Sequence, residues 1–216
     1  MIDPLQLDIE QINQSEFEYV GGDLSIDFVN TISGRGGDNP TEYFFSYERL
    51  VEWASGAQII DDAQASRLIA EARKRPQAAE EALMRAQTFR QSLYLILFKS
   101  VRDLQVEQGD LTILNQELQR GLGYQKLHAA NSGYHLTWDL PGSELVSILW
   151  PVASSAAELL VSGNLGLLRV CDGDDCGWLF MDRSKNHSRR WCTMKDCGNV
   201  EKVRKYRGKH KKMTGS

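Results

Sequence analysis

The sequence predicts an α+β protein. An α-rich N-terminal domain with a small antiparallel sheet is followed by a C-terminal four-cysteine zinc module made of a hairpin and a helix. Three observations carry this prediction. Between residues 47 and 160, apolar side chains recur mostly at three- and four-residue steps, the period of a helix with one buried face. Two short runs near residue 130 alternate around a Gly-containing turn, as a hairpin does. All four cysteines fall in one window, Cys171 to Cys197.

In chain order, Leu24-Ser25-Ile26-Asp27-Phe28 alternates apolar and polar after Gly21-Gly22 and is expected as a half-buried strand. Ser33 to Pro40 reads as a loop from its Gly, Asn and Pro. Helices are expected over Tyr47 to Ala54 and from Asp62 to Arg73. Pro76 opens the longest one, whose face is Leu83, Ala86, Phe89, Leu93, Ile96, Leu97, Val101 and Leu104. Asp110 is expected to cap a short helix carrying Leu111, Leu114 and Leu118. Gln125–Ala129 and Tyr134–Trp138 flank Ala130-Asn131-Ser132-Gly133 as a hairpin. The stripe Leu145, Ile148, Leu149, Val152, Ala156, Leu159, Leu160 is a last helix, kinked or restarted by Pro151 and stopped by Ser162-Gly163-Asn164.

At 216 residues, with 42% hydrophobic and 25% charged, the chain is long enough to bury a core and is neither fibrous nor a disulfide mini-protein. Its net charge of -4 hides a division. Residues 1–168 hold 12 Lys/Arg against 23 Asp/Glu, and residues 169–216 hold 13 against 6. Such asymmetry points to a polyanionic partner for the basic part. The N-terminal MIDPLQLDIEQ lacks a basic start and an apolar run, and the longest uncharged apolar stretch, Leu145 to Ala157, is 13 residues. A bilayer needs about 20. A cytoplasmic protein with no membrane contact is expected, and its cysteines are then metal ligands rather than disulfides.

The spacing is Cys171-x4-Cys176, fifteen residues, Cys192-x4-Cys197. Two tight turns each offering two thiolates complete a tetrahedron around one structural Zn²⁺, with no open position for catalytic water. An enzyme is not expected. His187 and His210 are alternative ligands, more readily read as surface residues. The link Trp178-Leu179-Phe180-Met181 is apolar enough for a strand. From Arg183 to Lys212 there are 12 Lys/Arg and two acids, Asp196 and Glu201. On a helix after Cys197, Val203, Tyr206 and His210 share a packing stripe, and the lysines and arginines flank it. That is the footprint of a phosphate-binding surface. Its candidate DNA contacts are Arg183, Lys185, Arg189, Arg190, Lys202, Arg204, Lys205 and Arg207, with arginines favoured for base edges.

These residues resemble the CGNR zinc finger of bacterial proteins. The matching positions are Cys171, Cys176, Phe180, Asp182, Ser184, Arg189, Arg190, Trp191, Cys192, Met194, Cys197, Gly198 and Asn199. Val200 stands where that family has its eponymous arginine. The region before the finger resembles the ABATE domain, through Gly21-Gly22, Leu24, Asp27-Phe28-Val29-Asn30-Thr31, Trp53 and Arg75-Pro76. The resemblance implies DNA as partner and stress-linked regulation of transcription.

The expected organisation is therefore an ABATE-like domain over 1–168, a finger over 169–212 whose hairpin and helix can close as a treble clef, and a disordered tail over 213–216. The first domain senses a small-molecule signal or forms a homo-oligomer. Asp27, Asn30 and Thr31 are its candidate ligand contacts, against a plainer reading in which they bond local amides. Two other functions stay open. One is a structured-RNA binder, with Trp178, Trp191 and Tyr206 as its few stacking groups. The other is a metabolite-binding protein or enzyme whose finger serves assembly.

Overall fold

The computed structural model describes residues 17–130, 132–204 and 206. Leu24–Phe28 is not a strand. Helix α1, Leu24–Val29, begins at Asp23, whose carboxylate accepts from the Ser25 amide at 2.9 Å. Ser25, Ile26, Phe28 and Val29 are the buried positions, a helical spacing that Leu-x-Ile-x-Phe also permits. The cap decides between the two periods. Strands β1 (Ile32–Ser33) and β2 (Thr41–Glu42) pair antiparallel and close the loop between them.

Helices α2 (Tyr47–Gly56) and α3 (Asp62–Lys74) start at Ser46 and Asp61, the latter with a full capping box to Gln64. Helix α4, Pro76–Val101, is the central rod. It stops three residues short of the expected Leu104. Asp103 adopts φ 52°, and the Leu104 and Asp103 amides fold back to the Lys99 and Ser100 carbonyls, a left-handed C-terminal turn. Helix α5, Gln108–Gly121, starts earlier than expected. Asp110 lies in its first turn, and the position before Gln108 has no side-chain cap bond, so Asp110 acts on the helix dipole rather than as a cap. Strands β3 (Gln125–Ala130) and β4 (Gly133–Trp138) form the expected hairpin, in register Leu127↔Leu136 and Ala129↔Tyr134. Asn131 of its turn lies outside the described residues.

Helix α6, Leu149–Val161, takes Pro151 in its first turn, where the missing N–H costs nothing, and ends before Gly163 at φ 73°. Helices α1, α2, α4 and α6 bury one core centred on Ile26, Phe28, Phe44, Trp53, Phe89, Leu93, Ile148 and Val152. Strands β5 (Leu168–Val170) and β6 (Leu179–Met181) pair antiparallel. Their period-2 alternation divides them between two cores. Leu168, Leu179 and Met181 complete the helical core. Trp178 and Phe180 pack with Cys171 and Cys192 in a second, smaller core. Among the described residues, no helix is long and apolar enough to cross a membrane.

Candidate metal centre and the basic surface around it

The Cys171–Cys176 turn links β5 to β6. The Cys171 amide donates to the Trp178 carbonyl at 2.8 Å, and Gly177 reverses the chain at φ 68°. At Gly177 a Cβ would also lie 2.8 Å from the Arg35 Cβ, so only glycine fits. The second turn begins at Thr193, whose hydroxyl accepts from the Asp196 amide at 3.1 Å. A wide helical turn, Met194–Gly198, carries Cys197, and helix continues over 199–204.

These turns bring the four sulfurs within 4.8 Å of one another. Cys176–Cys192 and Cys192–Cys197 are both 3.7 Å apart. A tetrahedral Zn²⁺ with Zn–S bonds of about 2.3 Å needs S···S separations of about 3.8 Å. The donor set thus fits a metal of that size and preference. The Cys192 and Gly173 amides point at the Cys171 sulfur from 3.3 and 3.4 Å. Hydrogen bonds from Cys176, then Cys192, hold the Cys171 thiol well below the ordinary thiol range. Donating those bonds pushes the Cys176 and Cys192 thiols up, and burial raises Cys197. A divalent cation bound by the four cysteines would take the place of those shared protons. His187 stands apart from this group: its Nδ1 lies 3.0 Å from the Asp182 carbonyl, at φ 46°. His210 lies outside the described residues.

The six expected DNA contacts among the described residues fall into three sets. Arg183, Lys185 and Lys202 are exposed, with Arg183 touching the Gly22 carbonyl at 3.1 Å. Arg190 and Arg204 meet acids of the first turn: Arg190 pairs with Asp172 at 2.7 Å, and Arg204 pairs with Asp174 and, at 3.2 Å, Glu201. Arg189 is turned inward. Its guanidinium donates to the Trp191 and Cys192 carbonyls and lies 4.4 Å over the Phe180 ring. Lys205 and Arg207 lie outside the described residues. The first cysteine turn, ahead of the basic run from Arg183, carries Asp172, Asp174 and Asp175. The chain reversal at the cysteines folds Asp172 and Asp174 back onto Arg190 and Arg204.

The expected packing stripe of the terminal helix is also corrected. Val200, Val203 and Tyr206 are exposed. The side of the helix turned toward the cysteines carries Glu201 and Arg204, which line an open cleft with Val200, Tyr43, Trp178 and Cys197. The basic loop is framed by Asp182, which is buried. Its carboxylate accepts from the Ser184 hydroxyl (2.6 Å), the Ser184 amide and the Arg189 amide (both 3.0 Å). Those contacts, the Ser184 hydroxyl first, hold its pKa below the ordinary carboxylate value.

Of the three candidate ligand contacts, Asp27 lines a cavity with Tyr19, Leu24 and Gln58. Burial lifts its carboxyl to about 7, although the Gly21 amide donates to it at 2.7 Å. Asn30 is buried and holds the finger: its Nδ2 donates to the Leu179 carbonyl at 2.9 Å and its Oδ1 accepts from the Leu179 amide at 3.0 Å. Thr31 donates to the Phe28 carbonyl and accepts from Arg90. The Trp178 indole donates to the Ile32 carbonyl at 2.7 Å, and the Tyr94 hydroxyl to that of Gly177 at 3.1 Å. The glycine-rich loop serves the same junction, since Arg35 and Gly36 donate to the Cys176 and Asp175 carbonyls. Reading the sequence missed this set, because its members are far apart in the chain.

Two family models match. Residues 22–163 match ABATE, described as "Putative stress-induced transcription regulator". Residues 168–210 match the CGNR zinc finger. No curated protein matches the chain.

Proposed function

The chain belongs to the ABATE family and carries a CGNR zinc finger after that domain, and from this premise we propose that it is a zinc-dependent DNA-binding regulator of transcription. The observation that carries the reading is the common frame. One four-cysteine cluster fixes both the exposed loop with Arg183 and Lys185 and the helix with Lys202. Zn²⁺, held by Cys171, Cys176, Cys192 and Cys197, supplies a rigid link between the two turns and no chemistry of its own. The cations then meet phosphates as one surface. Arg189 supports that surface from behind, and Arg190 and Arg204 reach DNA only by leaving Asp172 and Asp174. The ABATE domain is the part that receives a signal, with Asp27 facing its cavity. RNA is the weaker reading, because of the three named rings Trp178 is buried with its indole N–H engaged and Trp191 packs against the second core, which leaves Tyr206 alone exposed to stack on bases.

The test is selection from a random duplex pool by the zinc-loaded chain, followed by titration of the Lys185→Glu/Lys202→Glu variant. An enriched motif is expected, with affinity lowered about tenfold or more in the variant and a salt slope smaller by about 2. Equal affinity of parent and variant for DNA would overturn the reading.

A further inference from the structure

The arginines near the cysteines divide by what they face. Arg190 and Arg204, both exposed, meet carboxylates. Among the described residues, the guanidiniums of Arg189 and Arg35 meet neutral groups instead. Arg189 donates to the Trp191 carbonyl at 2.9 Å and to the Cys192 carbonyl, over the Phe180 ring. Asp182 takes the Arg189 backbone amide, not its side chain. Arg35 donates to the Val29 carbonyl at 3.0 Å and the Gln91 side chain at 3.1 Å, and covers the Tyr94 ring at 4.1 Å. Its Nε is buried without a partner, and Glu42 is paired with Arg90. Burial, then the like charge of Arg90, lowers the Arg35 pKa to about 10. A cation held this way is costly unless an anion stands nearby.

Both arginines border the cysteine centre. Arg189 is bonded to the carbonyl of one cysteine, Cys192. On the side of the helical domain, the Arg35 amide donates to the carbonyl of another, Cys176, at 3.2 Å. The Tyr94 ring beneath Arg35 donates its hydroxyl to the Gly177 carbonyl at 3.1 Å, next after Cys176. Burial raises the pKa of that hydroxyl, Arg35 lowers it and Cys176 raises it, so it lies in the field of both. We propose that Arg189 and Arg35 are positioning residues of the metal centre and supply the positive charge that a buried tetrathiolate needs. The inference rests on the four cysteines holding a divalent cation. Four thiolates around one such cation leave a net charge of -2. Cys171 and Cys192 are buried under Trp178 and Phe180, where that surplus is weakly screened. The amides of Cys192 and Gly173 offer the Cys171 sulfur only partial charges. The two guanidiniums offer whole ones, and a carboxylate on either would cancel what the thiolates require. Their backbone contacts also hold the two ligand turns, as the outer partners of a metal do. Arg189 then serves the metal rather than a base edge, and Arg35 brings the helical domain into the metal's surroundings.

Competition of the zinc-loaded full chain against a chromophoric chelator tests this. Arg189→Gln and Arg35→Gln keep an N–H donor and lose the charge, and each is expected to weaken zinc affinity about tenfold or more. Arg189→Lys and Arg35→Lys keep the charge and lose the planar fork, and are expected to stay close to the parent. Arg190→Gln, exposed and paired with Asp172, leaves the affinity unchanged. With Co²⁺ in place of Zn²⁺, the sulfur-to-metal charge-transfer band moves to longer wavelength in the glutamine variants, because losing a cation raises the sulfur electrons. It stays in place in the lysine variants. Should Arg189→Gln fail to fold, Arg35→Gln, on the helical domain, gives the same reading. Lysine variants no better than glutamine ones would mean that the arginines serve only through their hydrogen bonds, and would overturn the proposal. Glutamine variants that hold zinc as tightly as the parent overturn it too. A parent that binds no zinc overturns the metal centre itself, and this proposal with it.

Discussion

Asp27 shows how a single residue is used against its own preference. Its pKa, raised to about 7, lies far above the value near 3.9 of an unfolded aspartate. Between those two values the unfolded chain has released the proton that the folded chain still holds. Stability contributed by this group therefore falls as pH rises from about 4 to about 7, and is level above that. Asp27→Asn keeps an acceptor for the Gly21 amide and removes the charge. It is expected to flatten that slope and to stabilise the protein at pH 8 by about 2 kcal/mol, allowing for the carboxyl's partial exposure. Thermal melts of parent and variant between pH 4 and 8 check this; parallel curves would refute it. A carboxyl kept at such a cost beside a cavity is a candidate for function. Its neighbours Asn30 and Thr31 have the same sequence appearance, yet their polar atoms are engaged inside the protein. Composition cannot separate those fates, because the fate depends on which strand arrives opposite.

The element that best explains the molecule is β6. Helix propensity, caps and hydrophobic period act within about four residues, and so α2, α3, α4, α6 and the hairpin were legible within a few residues. Strand β6 was legible as a strand, but its two-sided role was not. Leu179 and Met181 face the helical core, and Phe180 faces the cysteines. Asn30, next after α1, hydrogen-bonds both backbone groups of Leu179 and acts as a substitute strand neighbour. Asn30→Ala leaves a buried N–H and C=O unpaired and is expected to cost about 2–4 kcal/mol. Melting temperature and protease cleavage between residues 163 and 180 would reveal it, and an unchanged melt would show that β6 is held by its side chains alone. Helix α1 was misread because Leu-x-Ile-x-Phe satisfies both periods, and Asp23 resolves the choice through one capping bond.

At the scale of the whole molecule, the finger and the helical domain share structure. A module of about 45 residues is too small to bury a sufficient core. Here the shortfall is met twice, by the four-cysteine centre and by β5 and β6 entering the larger core. Metal removal is therefore expected to unfold the second core and the basic loop while leaving most helix intact. The melting temperature should fall by about 10 °C or more, and the near-ultraviolet signal of Trp178 and Trp191 should be lost. Titration with a chelator, followed by both far- and near-ultraviolet circular dichroism, checks the pair of outcomes. Complete loss of helix would mean that the two cores are one cooperative unit. No change in either signal would mean that the cysteines hold no structural metal.

The sequence by itself determined the four-cysteine cluster, the helical periods, the hairpin and the excess of cations after residue 168, because each is a pattern of spacing or composition along the chain. The tertiary structure decided which cations stay available. Arg190 meets Asp172 across 18 residues, Arg204 meets Asp174, and Arg189 folds back onto the carbonyls of the second turn. It also decided that Asn30 holds β6 of the finger through both backbone groups of Leu179. The physical reason is common to these outcomes. Ion pairing, burial and hydrogen-bond satisfaction depend on distance in space, and the chain reversals at Gly177 and the cysteine turns set those distances after the local patterns have formed.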